Sequence, residues 1–222
     1  MRILRSGERF LTQREWSLTR HSFSFGGHHD PSNTDFGLLV AHNDEVVRPG
    51  PGYRPHEHRA VDIVSWVLDG VLRHEDSAGN VGETASAQLL SAGSGITHSE
   101  RSASDEPVHF VQMWFRTDGS GAPRYEHADI RARRDALVPV AAWSGDAPLR
   151  LRAPGVSVSI ASGQVDIPGA PFVHVFVTCG QAEIEGHRLG AGDAARLTDS
   201  EAVSFRSVDG DALVIRMGTG RS

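Results

Sequence analysis

Short apolar runs, each stopped by a turn signal, fill this 222-residue chain and leave little room for a helix. Residues 36–42, 61–68, 108–116, 156–161, 173–178, 182–184, 194–197, 202–206 and 212–217 are rich in Val, Ile, Leu, Phe and Trp. Between them stand Asp69-Gly70, Ser77-Ala78-Gly79-Asn80, Asp118-Gly119-Ser120-Gly121, Cys179-Gly180, Glu185-Gly186, Gly190-Ala191-Gly192-Asp193 and Asp209-Gly210-Asp211. β-Branched and aromatic side chains suit a pleated surface, while Gly, Asn and Asp supply the backbone angles of tight turns. Short strands at this spacing predict an all-β fold, a barrel or a sandwich. The best helical stretch, 123–137, is polar and holds Arg131, Arg133 and Arg134. It reads as a connector with room for a single helical turn.

The two sides of that connector share a rhythm. Val64-Ser65-Trp66-Val67-Leu68-Asp69-Gly70 ends a strand at a turn, and so does Val175-Phe176-Val177-Thr178-Cys179-Gly180. The tight turn and strand at 190–197 have their expected counterpart at 89–96. The chain thus reads as two copies of one β plan, 1–127 and 146–222, joined by a connector at 128–145. The copies differ in chemistry. Nine of the 12 histidines fall within the first 111 residues, whereas the second copy has only His174 and His187.

The rest of the composition mainly excludes. Cys179 is the only cysteine, so an intrachain disulfide and any cysteine-based zinc or iron–sulfur site are ruled out. Its place at the end of an apolar strand gives it a structural reading. Net charge is -6, with 28 acidic residues against 22 arginines and no lysine. Scattered arginines in an acidic chain lack the basic face that a direct nucleic-acid binder needs. Without lysine there is no phosphate loop of the usual kind, and no Gly-x-Ser-x-Gly elbow is present. The first nine residues include the charged Arg2, Arg5, Glu8 and Arg9, and no apolar run reaches membrane-spanning length. The expectation is a cytoplasmic, monomeric protein with no membrane partner.

Chemistry concentrates in two pairs. Side chains along a strand alternate between faces, so His56 and His58 in Pro55-His56-Glu57-His58 point the same way. In Gly93-Ser94-Gly95-Ile96-Thr97-His98-Ser99-Glu100, His98 and Glu100 share a face. If both faces turn into one barrel, three imidazoles and a carboxylate converge, a donor set that suits iron, copper, nickel, cobalt or zinc. Ligands from one side leave coordination positions open, as catalysis requires. Either pair alone could lie on a solvated strand; two pairs in one fold favour a metal. The other histidines take plainer readings. His28 and His29 suit a polar loop, His74 a strand end near a hairpin, and His42 and His109 half-buried strand positions. His21, Phe23 and Phe25 alternate onto one face, which either packs the core or lines an apolar pocket.

These residues resemble the pirin family of the cupin superfamily. The likeness runs through Arg20-His21-Ser22-Phe23-Ser24-Phe25, Asp30-Pro31, Phe36-Gly37 and His56-x-His58 to Val67-Leu68-Asp69-Gly70. It continues in His74-Glu75-Asp76-Ser77-Ala78-Gly79-Asn80, Gly95-Ile96-x-His98-Ser99-Glu100 and Val111-Gln112-Met113-Trp114. The resemblance implies a bicupin, two stacked antiparallel β-barrels of jelly-roll type. It implies one divalent transition metal in the N-terminal barrel, held by His56, His58, His98 and Glu100, and a C-terminal barrel without ligands. Iron is the first choice of metal, with copper, nickel, cobalt, manganese or zinc as alternatives. The sequence departs from the family at Glu57, where Pro is usual, and at Asp62, where Glu is usual. The shorter Asp62 bears on any contact behind the ligands.

The resemblance implies two functions. One is a quercetin 2,3-dioxygenase, which opens the central ring of a flavonol with O2. Glu100 would then be the catalytic base toward the flavonol hydroxyl, and Phe23, Phe25 and Phe36 would wall the site of a flat aromatic substrate. The other is an iron-binding, redox-sensitive regulator that acts through a protein partner. A metal-dependent isomerase or hydrolase is a third reading.

Overall fold

Arg48-Pro49-Gly50-Pro51-Gly52 interrupts what would otherwise be one long strand. Proline brings no N–H to a ladder, and Gly50 and Gly52 sit at φ 134° and 59°. Leu39–Val47 therefore ends there, and the chain resumes in a different sheet as Tyr53–His58. Residues 103–107, closing on Pro107, make the same break between Ile96–Ser102 and Val108–Arg116.

The computed structural model describes residues 1–219. It is all-β in character: among the described residues there is no α-helix, only the 3-10 turn Ser6–Glu8. Among the described residues no helix is long and apolar enough to cross a membrane. The chain divides into two units, residues 10–130 with 151–153, and residues 1–9 and 131–150 with 154 onward. These bounds differ from the expected 1–127, 128–145 and 146–222. The first residues join the second unit because Arg2–Leu4 pairs with Ala194–Thr198, and the Arg5 guanidinium and Ser6 amide both donate to Asp193, at 2.8 Å each. The expected connector has no helical turn: Arg124–Ala128 pairs with Ala87–Ser91, Ala136–Ala142 pairs with Val156–Ile167, and 129–135 between them belong to no strand. Residues 151–153 return to the first unit because Asp62 Oδ2 accepts the backbone N–H of Arg152 at 2.6 Å and of Ala153 at 2.8 Å. The shortened side chain at 62 thus clasps this segment, and its hydrogen bonds do not go to the histidine pairs.

In the first unit a seven-stranded antiparallel sheet runs Arg124–Ala128, Ala87–Ser91, Val61–Asp69, Val108–Arg116, Leu39–Val47, Ser17–His21, Phe10–Gln13. A four-stranded sheet runs Tyr53–His58, Ile96–Ser102, Leu72–Asp76, Val81–Thr84. Their apolar faces meet. Val47, Val67, Val108 and Phe110 cluster with Leu72, and Ile63, Leu90 and Ala92 cluster with Ile96. Neither sheet closes on itself, so the expected closed barrel is not what these strands form. The breaks at 48–52 and 103–107 carry the chain from one sheet to the other, where a barrel wall would need continuous pairing.

The second unit is one nine-stranded sheet, also open-ended. Its long strands Val156–Ile167 and Val203–Met217 have no such breaks, and the strands expected separately at 202–206 and 212–217 are one element. Cys179 ends Phe172–Cys179 and is exposed, so it is not the packed residue expected.

Candidate metal centre

The two histidine pairs meet across a ladder. Tyr53–His58 runs antiparallel to Ile96–Ser102, with His56 opposite His98 and His58 opposite Ile96. A bulge then puts Glu100 opposite Tyr53. Alternation and pairing together bring one donor atom each from His56, His58 and His98 within 4.8 Å of one another. Ring centroids lie 4.5 Å apart for His56–His98, 4.8 Å for His56–His58 and 4.9 Å for His58–His98.

The protonation pattern suits a ligand set. His56 Nδ1 lies 2.8 Å from the Arg54 carbonyl oxygen, which can only accept. Nδ1 therefore carries the proton and Nε2 keeps its lone pair. The Nε2 atoms of His58 and His98 are buried and have no hydrogen-bond partner among the described residues. Burial first, and neighbouring imidazoles second, hold His58 and His98 down to about 3, so both are neutral near pH 7.

Glu100 is buried beside this trio and braced on both oxygens. Gln88 Nε2 donates to Oε1 at 2.7 Å, and Gln112 Nε2 donates to Oε2 at 2.8 Å. Each amide is itself oriented by a donor on its carbonyl: the Tyr125 hydroxyl at 3.1 Å on Gln88, and the Trp114 indole N–H at 2.7 Å on Gln112. Glu100 falls into a second group of possible donors, with His98 and His74, that overlaps the first at His98.

A cleft of about 460 Å³ reaches His56 and Glu100. Phe25, Trp114, His21 and His28 form its aromatic side. Phe25 stacks on His21 at 5.1 Å and meets Trp114 edge-on at 5.3 Å. Thr12, Thr19, Asn43, Glu45 and Tyr53 add polar groups. Glu45 is buried, and burial pushes its carboxyl up to about 7 although it accepts a very short hydrogen bond from the Tyr53 hydroxyl.

Of the three expected wall residues only Phe25 lines the cleft. Phe23 is 1 % exposed and belongs to the core, and Phe36 is not among the lining residues. The strand ends at His21, so alternation stops there: the chain bends at 22–23, and Phe25 bridges to His28 across a turn at 26–27. Glu45, Gln88 and Gln112 carry no local sequence signal of the kind that marks the histidine pairs, and His74 lies fully buried in the middle of Leu72–Asp76 where a strand end was expected. His28, expected in a polar loop, stacks on Phe10 and lines the cleft. His42 is fully buried, not half-buried. Glu45 has a signal of another kind. Leu39, Ala41, Asn43, Glu45 and Val47 alternate onto the buried face of their strand, and two of the five are polar.

A family model described as Pirin matches residues 5–115, half of the sequence. The chain belongs to the pirin family. A Mycobacterium tuberculosis relative named "putative quercetin 2,3-dioxygenase" is 45% identical over 213 residues, 90% of this chain and 87% of the relative. An Escherichia coli K12 protein named quercetin 2,3-dioxygenase is 28% identical over 222 residues, covering 96% of each chain. Among solved structures, the E. coli pirin YhhW in complex with nickel(II) matches with a TM-score of 0.89 at 27% identity, covering 97% of this chain and 98% of that one.

Proposed function

We propose that this pirin is a metal-dependent dioxygenase that opens the central ring of a flavonol-type substrate with O2. His56, His58 and His98 would hold one divalent transition ion with Glu100 as the further donor. Iron is the first candidate, and nickel(II), the ion in the YhhW complex, the next. The residues fit such an ion. Two buried imidazole nitrogens lack partners, an expensive state that coordination relieves. The bound ion supplies Lewis acidity toward the hydroxyl–carbonyl edge of the substrate and a redox partner for O2.

The chain's own residues do the rest. The cleft is of a size that buries small organic ligands, roughly 300–1,000 Å³. Phe25 and Trp114 offer a wall for a flat ring system, and Tyr53, Asn43 and Thr19 offer partners for its hydroxyls. Glu100 lines the cleft and takes the proton of the flavonol hydroxyl, and its bracing amides hold it at one place while it does so. Both oxygen atoms of O2 enter the product and one ring carbon leaves as carbon monoxide, so no other oxidant is needed. The observation that carries this reading is the convergence of three imidazoles, with donor atoms within 4.8 Å, beside an aromatic-walled cleft.

Protein loaded with iron, copper, nickel, cobalt or manganese and given quercetin in air should bleach the flavonol absorbance and release carbon monoxide. No turnover with any of the five ions would overturn the reading. The regulator reading would then be tested by a pull-down whose partner depends on the iron oxidation state.

A further inference from the structure

His74 is completely buried beside the proposed ligands and contacts no substrate cleft. Its Nε2 lies 3.1 Å from Asp76 Oδ2 and its Nδ1 lies 3.3 Å from His98 Nδ1. Asp76 is itself fixed. Its Oδ1 accepts from the Ala78 and Asn80 backbone N–H groups at 2.9 and 3.0 Å, and its Oδ2 accepts from Asn80 Nδ2 at 2.9 Å. Tyr125 lies flat on the His74 ring at 4.1 Å and 4°. Room for that ring comes from Gly82, directly across the ladder from His74, where a Cβ would strike the Tyr125 hydroxyl at 2.3 Å.

With His74 neutral, donor and acceptor roles along this row have one consistent assignment. A carboxylate only accepts, so His74 carries its proton on Nε2. Neutral His74 then accepts at Nδ1, and the facing nitrogen of His98 must donate. His98 is thereby held with its proton on Nδ1, which frees Nε2, the buried nitrogen that has no partner among the described residues. The Arg54 carbonyl does the same for His56, from the backbone.

We infer that Asp76 and His74 are positioning residues that fix the tautomer and ring plane of His98 for metal binding through Nε2. The inference rests on the reading of His98 as a ligand. Partners of this kind behind a metal-bound imidazole typically change affinity 10–100-fold.

Two measurements on the full chain test it. Long-range proton–nitrogen correlation spectra of the zinc(II)-loaded protein, labelled with nitrogen-15 at histidine, should show His98 protonated at Nδ1 and metal-shifted at Nε2, and His74 protonated at Nε2. A His98 that binds zinc through Nδ1, or a His74 protonated at Nδ1, overturns the inference without any substitution. Zinc(II) affinity, read by competition with a chromophoric chelator, should fall 10–100-fold in His74→Phe, which keeps the ring against Tyr125 but cannot accept. His74→Asn, whose Oδ1 can replace Nδ1 as acceptor, should recover most of that loss. Affinity within twofold of wild type in a folded His74→Phe overturns the positioning role. Wild-type affinity in His98→Ala overturns the ligand reading beneath it. If His74→Phe does not fold, the tautomers read on the unsubstituted protein decide.

Discussion

The turn at Gly70 in the first unit and the turn at Gly180 in the second are built alike. Gly70 has φ 78°, and a Cβ there would meet the Pro107 carbonyl oxygen at 2.6 Å; Gly180 has φ 63°, and its Cβ would meet the Asp209 carbonyl oxygen at 2.5 Å. Four residues before each glycine, Trp66 pairs with Ala87 and Phe176 with Ala194. From these anchors the ladders match pair by pair. His98 corresponds to Val203, Glu100 to Phe205, His56 to Ile167 and His74 to Ile184. Gln88 corresponds to Ala195, Gln112 to Val214 and Glu45 to Ala161. All seven of the second-unit residues lie in one apolar core cluster. One strand plan therefore serves either as a dry core or as a polar site, and the choice is made by inward-facing side chains.

The largest test of that statement rewrites the first unit in the second unit's residues. His56→Ile with His98→Val should bring metal content, read by elemental analysis of purified protein, to background. Metal retained in the double variant would break the correspondence between site and core. The opposite change should be harmful. Phe205→Glu places a carboxylate where the bracing amides are replaced by Ala195 and Val214. Loss of a buried Phe costs roughly 3–5 kcal/mol, and the unpaired charge adds to it, so a urea melt should show at least about 4 kcal/mol lost. A loss below about 1 kcal/mol would mean that this core admits water.

The comparison also shows what the sequence could reveal. Strand alternation was enough to put His56 and His58 on one face and His98 and Glu100 on another, because each pair lies within one strand and the period-two rule acts locally. The all-β character was legible for the same reason. Gln88, Gln112 and Glu45 come from three further strands, and nothing local to any of them says that they meet one carboxylate or one cleft. His74 was read as a strand end because its meaning depends on Asp76, Tyr125 and His98 together. The repeat was legible but out of register. The pairings set Ala194–Thr198 against Ala87–Ser91, so the turn at 190–193 corresponds to 83–86 and not to the glycine-rich turn before Ile96. Glycine-rich turns occur on both sides of a strand, and only its hydrogen-bonded neighbours distinguish them.

Polar and apolar versions of the plan should respond differently to pH. Burial, only partly offset by the Tyr53 hydrogen bond, holds Glu45 at about 7 instead of 4.5. Between those values the folded chain keeps a proton that the unfolded chain has released, so stability falls as pH rises through the window. His58 and His98, held at about 3 instead of 6.5, act at the other end: stability falls as pH drops from 6.5 toward 3. Ala161, the counterpart of Glu45, has no proton to lose. Glu45→Gln should therefore make metal-free protein more stable at pH 8 relative to pH 5, by up to about 3 kcal/mol at roughly 1.4 kcal/mol per pKa unit. Urea melts at the two pH values measure this. An unchanged difference in the variant would mean that Glu45 is ionised throughout.

The smallest effect tests the shared frame itself. Gly70 and Gly180 both occupy the left-handed region, where a side chain costs about 1–2 kcal/mol in addition to any contact it makes. At both positions the contact is a backbone carbonyl oxygen, closer than a Cβ can tolerate, and backbone cannot swing aside as a side-chain end can. Gly70→Ala and Gly180→Ala should therefore destabilise the chain by similar amounts, read as similar downward shifts in urea midpoint. Gly70→Ala should do so with little loss of zinc affinity, since the displaced carbonyl belongs to Pro107 and the proposed ligands sit on Tyr53–His58 and Ile96–Ser102. A large effect at one glycine and none at the other would show that the two turns only look alike, and that the correspondence of His98 with Val203 counts from the wrong anchor.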